Sequence, residues 1–464
     1  MSSSTDLCVH LADHVVGARF DKLPSAAVEG AKKSVLDTLG VVLAAGGMEP
    51  AVRDVVALAR EDGGAPESSV LGFGLRVPAA MAAFANGAMA HALDYDDQTP
   101  WGQHSGSSLL PAAFAIAERV AARRGAVAGR DLIVAVAVGQ DIFNRLRRHV
   151  DWRKDWNFTT VVGVYAATAA ACRLLRLDRH AVANAFGIAS LQSCGSMAVI
   201  NATGSNLRAL YAGFPARGAV TAALLAERGV GGVPGLFEGP HGVFDLHFGG
   251  RYDRAAILEG LGSDYTGGQT LYKRWPAVGT AHAHIHATIG LVEANGIDAA
   301  QIDAIRVFVG DYHRLMCEPL EQRRAPSTLV EAKFSLPYLV AAAAVRRDLR
   351  LADFRAEALR DPQILDLARR VVPVDDASLD WKLDLPPGRV EIARRDGQRF
   401  ERTGRGIPGS AERPLDWGDL VAKFADCASV APRALAAERV AGVHETVCRL
   451  EHADDATAVL RALC

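Results

Sequence analysis

The most distinctive stretch of the chain is residues 91–104, which hold two histidines and three aspartates within 14 residues. The aspartates are Asp94, Asp96 and Asp97, and the stretch is expected to link two helices. Histidine changes its protonation state near neutral pH, and a neighbouring carboxylate can hold one tautomer of its ring. The stretch is therefore typical of a general acid/base site.

Two other interpretations of this stretch stay open. Asp96 and Asp97 could cap the helix that follows, because Asp and Ser accept hydrogen bonds from the free amides of a first helical turn. Oxygen ligands also suit Mg²⁺. However, no phosphate-binding glycine loop accompanies the aspartates, so we expect no metal here.

A second cluster begins at Lys273, in the motif Lys-Arg-Trp-Pro, and continues with His282, His284 and His286. Lys273 follows a glycine-rich stretch where the sequence pattern changes. It could therefore reach into a cleft between domains, and an ordinary surface lysine is the alternative. In a helix His282 and His286 share a face and His284 does not, and no third ligand stands at a zinc-binding spacing. We expect satisfied or solvent-facing histidines rather than a zinc site.

A third candidate is the polar, glycine-bearing stretch 201–213, which contains Arg208 and Tyr211. The guanidinium fork of an arginine donates two parallel hydrogen bonds to a carboxylate, so Arg208 is a candidate for binding an acid. The alternative is a loop that only turns the chain. The sequence contains no GxSxG, Walker A or HExxH pattern. Its glycine run 231–235 follows a helix, unlike a dinucleotide-binding fingerprint.

The elements that must position these residues are mostly helices. Up to about residue 265, apolar residues recur at helical spacing in one segment after another, and SSVLGFGLRVP could be a short hairpin or an extended loop. The next part mixes helices with strand patterns, two of which Asp396-Gly397 joins as a hairpin. We predict a mainly α protein, with a large all-helical domain of residues 1–267 plus 410–464 and an inserted, smaller α+β lid domain of residues 268–409.

The composition excludes several classes of protein. The 464 residues include 51 Lys and Arg and 53 Asp and Glu, a net charge of −2, whereas a general nucleic-acid binder carries a basic excess. The 7 cysteines are scattered, which is typical of free thiols in a reducing cytosol. No signal-peptide pattern opens the chain, and the uncharged stretch 181–207 contains polar residues that disfavour a bilayer span. We expect a cytoplasmic protein with no nucleic-acid or membrane partner.

In this order the motifs resemble the MmgE/PrpD family, which includes 2-methylcitrate dehydratase, cis-aconitate decarboxylase and iminodisuccinate epimerase. The resemblance covers nearly the whole chain and is carried by VLDTLGVVLA, AFANGAMAHALDYDD with HSGSSLLPAAFAIAE, VVGVYAATAAACRLLRLD, YAGFPARGA, LYKRWPA, EAKFSLPY and AKFADCA. It implies a helical domain built from both chain ends, an inserted α+β lid and a homodimer. It also implies that the protein uses no metal and no organic cofactor.

The resemblance further implies a site at the cleft between the domains. Its decarboxylase-like members use the positions of Asp94, His104 and Lys273, and all three residues are present. Arg208 keeps the positive charge of its position, whereas the titrating group at position 157 is lost. The departures are Gln98 for a frequent threonine, Asn157 for a histidine, Arg208 for a lysine and Tyr211 for a histidine.

These features predict a cofactor-free lyase or epimerase that moves a proton next to a carboxylate of a small di- or tricarboxylate, with dehydration or decarboxylation favoured. Such a reaction needs an acid, a base and cations that stabilise the developing enediolate charge. The alternative is a catalytically inactive helical binding or scaffold protein on the same fold. The predicted roles are His104 as main acid/base, Asp94 as its orienting partner or a substrate ligand, Lys273 as second acid/base or carboxylate clamp, Arg208 as a clamp, and Asn157, Tyr211 and Gln98 as substrate-binding residues that shape the pocket.

The position of His104 just ahead of a helix predicts its protonation state. The dipole at a helix N-terminus disfavours the imidazolium, so we expect the neutral ring to dominate near pH 7. Asp94 would act in the opposite direction if it lies close, and the sequence leaves open which effect is larger.

Overall fold

The computed structural model describes residues 6–202, 205–233 and 235–464, and helices dominate this part of the chain. The first two helices are separated by a 3₁₀ turn that ends at Lys22, and the second helix begins directly after Pro24. The α-helices of the first 260 residues are α1 Leu7–Gly17, α2 Ser25–Met48, α3 Pro50–Asp62, α4 Ala79–Ala92, α5 Gly106–Arg124, α6 Gly129–Arg148, α7 Phe158–Val161, α8 Gly163–Leu175, α9 Arg179–Ala189, α10 Ala198–Asn201, α11 Leu207–Leu210, α12 Gly213–Glu227, α13 Val243–Phe248 and α14 Arg254–Leu258.

Small residues let the central helices α4, α5, α8 and α12 pack closely against one another. In α8 every residue except Arg173 is buried, as expected of a helix that is apolar on all sides. Two stretches, Phe158–Leu175 and Leu207–Glu227, are long and apolar enough to cross a membrane by length and composition, and 94% and 67% of their apolar windows are buried within the protein. The second stretch leaves Phe214 and Leu225 exposed.

The chain beyond residue 260 combines helices with most of the strand structure. Its α-helices are α15 His282–Ala294, α16 Asp311–Arg314, α17 Leu320–Arg324, α18 Leu329–Lys333, α19 Leu336–Arg346, α20 Pro362–Arg369, α21 Trp417–Ser429, α22 Ala437–Cys448 and α23 Thr457–Ala462. The 3₁₀ turns of the described residues are Phe20–Lys22, Ser190–Gln192, Thr266–Gln269, Gly279–Ala281, Ala299–Gln301, Leu351–Phe354, Ala358–Arg360, Ala377–Leu379 and Leu450–His452.

Two sheets are present in the described parts of the chain. A small hairpin pairs β1 with β2, which decides between the two alternatives for that segment. The larger sheet has the order β4-β3-β5-β6, with β3 parallel to β4 and antiparallel to β5. The hairpin predicted at Asp396-Gly397 is confirmed by the pairing of β5 with β6. The strands are β1 Ser68–Val70, β2 Leu75–Val77, β3 Ile302–Val309, β4 Val371–Asp375, β5 Gly388–Arg394 and β6 Arg399–Gly404.

Strand β4 was not predicted from the sequence. It contains Pro373, which cannot donate to a ladder and therefore argues against a central strand. Because β4 lies at the edge of the sheet, it pairs with β3 alone and tolerates the proline. With helix α15 packed on β5 and β6, these strands confirm a mainly α protein that includes a smaller α+β part.

The last helices return to the first part of the chain. Helix α21 packs on α2, and Lys423 of α21 forms an ion pair of 2.7 Å with Asp37 of α2. The Nζ of Lys423 also donates to the carbonyl oxygens of Tyr95 and Lys273, at 2.7 and 3.0 Å. One buried lysine therefore ties together the two segments that carry the candidate site. The domain boundaries at residues 267 and 409 remain predictions.

Candidate active site

The end of helix α4 sets the direction of the acidic loop. The helix ends at Ala92, and the N–H of Asp94 donates to the carbonyl of His91 at 2.9 Å. Asp94 has a φ of 49°, a left-handed conformation that is uncommon for a residue other than glycine. Such backbone strain is concentrated at functional sites, and here it accompanies an ion pair between Asp94 and Lys273.

Asp94 and Lys273 form a buried ion pair. The Nζ of Lys273 donates to the carboxylate of Asp94 and, at 2.8 Å, to its main-chain carbonyl. The side chain of Lys273 is fully buried. Burial opposes the charge of Asp94, but Lys273 and His104 outweigh it, so the pKa of Asp94 is lowered. Lys273 is therefore the ion-pair partner of Asp94, and it favours the carboxylate form of Asp94.

Gln98 fixes the register between the two segments that carry this pair. Its main chain forms an antiparallel bridge with Leu271, with hydrogen bonds of 2.9 and 2.8 Å. Its side chain packs under Gly279, where a Cβ would come within 2.1 Å of the Gln98 Oε1. Gln98 was predicted as a substrate-binding residue. In the structure it lies outside the cavity lining and braces the loop from behind.

His104 lies two residues ahead of helix α5 with its two ring nitrogens in different surroundings. Its Nδ1–H donates to the carbonyl of Asp97 at 2.7 Å, and the same nitrogen lies 3.0 Å from Oδ2 of Asp96. Both partners are acceptors, so Nδ1 carries a proton. The other nitrogen, Nε2, lies 3.9 Å from Oδ1 of Asp94 and is the atom that can exchange a proton with a substrate.

Asp96 is shared by His104 and His91. The Nδ1 of His91 lies 3.1 and 3.2 Å from its carboxylate oxygens, and the two imidazole rings meet edge to face at 4.6 Å. Burial lowers the pKa of His91 more than Asp96 raises it. For His104, burial also disfavours the charge, but the charge of Asp96 and its hydrogen bond outweigh it and raise the pKa.

The pKa of His104 is thus raised, which is opposite to the shift expected from the helix dipole, and the dominance of the neutral ring near pH 7 stays a prediction. The helix-dipole argument omitted Asp96, which contacts the ring directly, whereas Asp94 contributes less. The prediction that Asp94 orients His104 is corrected in the same way, because Asp96 and the Asp97 carbonyl hold Nδ1. His91 was noted in the sequence but given no role. The only feature of the sequence that pointed to His91 was its position three residues before Asp94. A histidine near the end of a helix is too common to indicate a function.

Asp97 serves the helix rather than the chemistry. Its Oδ1 accepts from the N–H of Gly106 at 2.9 Å, the first residue of α5. Its carboxylate lies so close to Gly106 that a Cβ there would approach Oδ2 to 2.6 Å. Burial and the neighbouring charge of Asp96 raise the pKa of Asp97 to about 7. The capping alternative is thus confirmed for Asp97, whereas Asp96 pairs with the histidines.

Three of these side chains could hold a metal ion by proximity alone, since ligand atoms of His91, Asp96 and His104 lie within 4.8 Å of one another. A metal ligand must offer a lone pair. The Nδ1 of His104 instead carries the proton that it donates to the carbonyl of Asp97. The hydrogen bonds therefore explain this cluster without a metal, and the prediction of a metal-independent site stays a prediction.

A cavity with an empty volume of about 380 Å³ opens in front of His104. Arg208 lines it with only 4% of its surface exposed, and its guanidinium lies over the ring of Phe334, 3.3 Å from the centroid. Its Nε has no hydrogen-bond partner among the described residues. Burial lowers the pKa of Arg208. The cavity is lined by His91, Asp94, Gly102, His104, Ile200, Arg208, Tyr211, Val278, Gly279, Thr280, Tyr312, Phe334, Trp381 and Leu385.

Of the two remaining predicted residues, Tyr211 lines the cavity and Asn157 does not. Tyr211 lines the cavity and packs its ring against His91 at 4.4 Å. Asn157 lies behind the cavity, where its Oδ1 accepts from the N–H of Thr159 at 3.1 Å and caps helix α7. The hydroxyl of Thr159 in turn accepts from the N–H of His104 at 3.3 Å. Asn157 thus supports the histidine loop.

Lys333 adds a buried cation that the sequence analysis did not single out. It ends helix α18, and its Nζ donates to the carbonyl of Ala92 at the end of α4. Burial lowers its pKa to about 8. The break between α18 and α19 places the next residue, Phe334, in the cavity wall. Lys333 therefore connects that wall to the loop carrying Asp94.

The histidines after Lys273 do not form a zinc site among the residues that the structure describes. The Nε2–H of His282 donates to the carbonyl of Ala277 at 3.2 Å, and that of His284 donates to the carbonyl of Phe308 at 2.9 Å. Burial lowers the pKa of His282 to about 3 and that of His284 to about 4. The prediction of satisfied histidines is confirmed for both.

Comparison with known proteins places this arrangement in a family. Residues 9–255 match the MmgE/PrpD N-terminal domain, and residues 275–446 match the MmgE/PrpD C-terminal domain. The chain is 27% identical to a cis-aconitate decarboxylase of Aspergillus terreus, over 96% of this chain and 93% of that protein. It is 25% identical to the cis-aconitate decarboxylase of Mus musculus, over 97% and 92%. It is also 25% identical to a 2-methylcitrate dehydratase of Cupriavidus necator, over 80% and 78%. The two domain matches together span most of the 464 residues, and the chain belongs to the MmgE/PrpD family of decarboxylase- and dehydratase-type enzymes.

Proposed function

We propose that the protein is a cofactor-free lyase that decarboxylates or dehydrates a small polycarboxylate by moving a proton next to a carboxylate. One observation carries the proposal. The Nε2 of His104 and the guanidinium of Arg208 line the same cavity, beside the buried pair of Asp94 and Lys273. The relatives named above act on acids of this kind by their names, which supports the reaction class.

The contact of His104 with Asp96 favours an acid as the first role of this histidine. Its raised pKa favours the imidazolium, whose Nε2–H would face the cavity while Asp96 balances the charge. In a decarboxylation, the C–C bond breaks, CO₂ leaves and the electron pair stays on the carbon next to a carboxylate. His104 then donates its proton to that carbon. In a dehydration, the Asp94 carboxylate takes the proton from the carbon next to the substrate carboxylate, the electron pair of that C–H bond forms the double bond, and the departing hydroxyl group takes the proton of His104 and leaves as water.

The neighbouring charges serve binding and stabilisation. Arg208 donates to a substrate carboxylate, because its buried Nε has no hydrogen-bond partner among the described residues and its fork fits a carboxylate. Lys273 is close enough to Asp94 to neutralise it. The pair therefore places no net negative charge opposite the developing enediolate. Fixed charges that need no reorganisation during the reaction are the usual source of such stabilisation.

The test is turnover in deuterated water. The full chain is incubated with cis-aconitate, 2-methylcitrate and related acids, and NMR follows substrate loss and deuterium at the carbon next to a carboxylate. Lyase chemistry gives product with deuterium at that carbon, or loss of the hydroxyl group, and His104→Asn abolishes either outcome. Acids that bind in an Arg208-dependent manner without any turnover or exchange would instead support the catalytically inactive alternative.

A further inference from the structure

The proposed reaction leaves His91 without a role, although this histidine lines the same cavity as His104. We infer that His91 is a substrate-binding residue that, together with His104, recognises a hydroxyl group of the acid. The inference rests on the proposed function, since it concerns the acid that the same cavity binds. It favours the dehydration of a hydroxy acid over the decarboxylation of an acid that lacks this group.

The two histidines are held by one carboxylate oxygen. Oδ2 of the buried Asp96 lies 3.1 Å from Nδ1 of His91 and 3.0 Å from Nδ1 of His104, and the ring centroids are 4.6 Å apart. The histidines outweigh the burial of Asp96 and lower its pKa. A carboxylate only accepts hydrogen bonds, so Nδ1 of each ring carries a proton. The Nε2 of each ring has no hydrogen-bond partner among the described residues and is left for a ligand.

The two Nε2 atoms differ in their protons. One buried carboxylate balances one imidazolium, and a second buried charge would be costly. At His91, burial outweighs the charge and the hydrogen bond of Asp96 and lowers the pKa. At His104, the same carboxylate outweighs burial and raises the pKa. When His104 carries the additional proton, its Nε2 therefore donates, and the Nε2 of a neutral His91 accepts.

The other polar groups near the rings leave this division unchanged. Asp94 and Lys273 form an ion pair and act on His104 with opposite signs. The ring of Tyr211 packs against His91 at 4.4 Å, and burial raises the pKa of this tyrosine, so its hydroxyl stays uncharged. Arg208, which lines the same cavity, is assigned to a substrate carboxylate.

A hydroxyl group fits this donor and acceptor, and a carboxylate does not. The hydroxyl oxygen accepts from Nε2 of His104, and the hydroxyl proton is donated to Nε2 of His91. A carboxylate has only acceptor oxygens, so it would meet the lone pair of His91 without a hydrogen bond. In the proposed dehydration the C–O bond breaks and the oxygen takes the proton of His104. The water that forms keeps its hydrogen bond to His91 until it leaves.

The experiment compares acids that differ in a single hydroxyl group. Isothermal titration of the full chain at pH 7 uses citrate against tricarballylate, with three carboxylates each, and hydroxymalonate against malonate, with two. Hydroxymalonate cannot eliminate water, because the carbons next to its hydroxyl-bearing carbon carry no hydrogen, and NMR of each sample detects turnover of citrate. In at least one pair we expect the hydroxy acid to bind about 10-fold or more tightly, because its partner leaves buried polar groups without a hydrogen bond.

Variants of His91 assign this preference to its ring. His91→Asn keeps an N–H that can donate to Asp96 but offers no acceptor at the position of Nε2. It should therefore bind the two acids of a pair with affinities within about 2-fold of each other. His91→Gln places an amide oxygen near that position and should recover part of the preference. The control His282→Asn, at a buried histidine outside the cavity wall, should keep the preference of the unmodified chain.

The outcomes separate the inference from the proposed function. Equal or inverted affinities within both pairs, or no measurable binding of any of the four acids, overturn the inference. It is also overturned if Tyr211→Phe removes the preference and His91→Asn does not, because the hydroxyl group would then be bound by the tyrosine. Equal affinities together with turnover of an acid without a hydroxyl group leave the proposed function standing. A preference that depends on His91, without turnover or exchange of any acid, removes the proposed function alone.

Discussion

Asp96→Asn tests whether this carboxylate sets the protonation state of His104. Asp96 lies 3.0 Å from Nδ1 of His104, and both groups are buried. A hydrogen bond to a charged partner contributes about 1.5–3 kcal/mol. At about 1.4 kcal/mol for each pH unit, its loss should lower the pKa of His104 by about 1 to 2 pH units. The isosteric asparagine keeps an oxygen that can accept one of the two hydrogen bonds.

Two measurements follow this change. NMR titration of labelled histidine reports the pKa of His104, and the pH dependence of kcat/KM reports the loss of its acid form as pH rises. Both should move to lower pH in Asp96→Asn. The matched control is Asp141→Asn, because Asp141 is another buried carboxylate, paired with His14 at 3.1 Å. Equal shifts in the two variants, or none in Asp96→Asn, would refute the reasoning.

The free energy of unfolding should also depend on pH through His104. The folded pKa of His104 is raised, so the protonated ring stabilises the fold fully below its unfolded pKa of about 6.5. This contribution is lost as pH rises through the folded pKa. The difference in melting temperature between the unmodified chain and Asp96→Asn should therefore be larger at pH 6 than at pH 9.

Three further predictions address catalysis, metal and assembly. His104→Asn should lower turnover about 100-fold or more. His282→Asn should mainly lower the melting temperature, because His282 is hydrogen-bonded to a carbonyl outside the cavity wall. Equal losses of turnover in the two variants would contradict the assignment of His104 as the acid. Exhaustive chelation followed by metal analysis should leave full activity, and activity restored only by an added metal would contradict this. The homodimer implied by the resemblance should use the exposed side chains of Leu191 and Phe214; Leu191→Glu with Phe214→Glu should then give monomers in sedimentation, whereas Leu246→Glu, at another exposed leucine, should not.

The sequence was sufficient to locate the acidic loop but not to divide its tasks. Three aspartates within four positions are chemically alike, and their roles depend on backbone geometry. The positive φ of Asp94 accompanies its pairing with Lys273. Asp96 then lies between two histidines, and Asp97 reaches the start of α5. No spacing rule states that a residue other than glycine takes a left-handed conformation at that point.

The far wall of the cavity was missed for a different reason. Tyr312, Phe334 and Trp381 come from separate elements of the second half of the chain, and none carries a motif that indicates chemistry. Tyr312 meets Trp381 edge to face at 4.7 Å, a contact that only the fold produces. Helices α18 and α19 follow one another in this half of the chain. The break between them, which brings Phe334 to the cavity, depends on Ser335 capping the second helix.

The buried lysines around the cavity support the proposal that Arg208 binds a substrate carboxylate. Lys273, Lys333 and Lys423 each donate to a carboxylate or a carbonyl of the surrounding chain, so their charges are satisfied when the cavity holds no acid. A buried cation without a partner is costly, and among the described residues the position of Arg208 over Phe334 offsets part of that cost. A substrate carboxylate removes that cost. In the proposed reaction, the affinity gained at Arg208 would help to place the reacting carbon at His104, so that binding at one residue serves catalysis at the other.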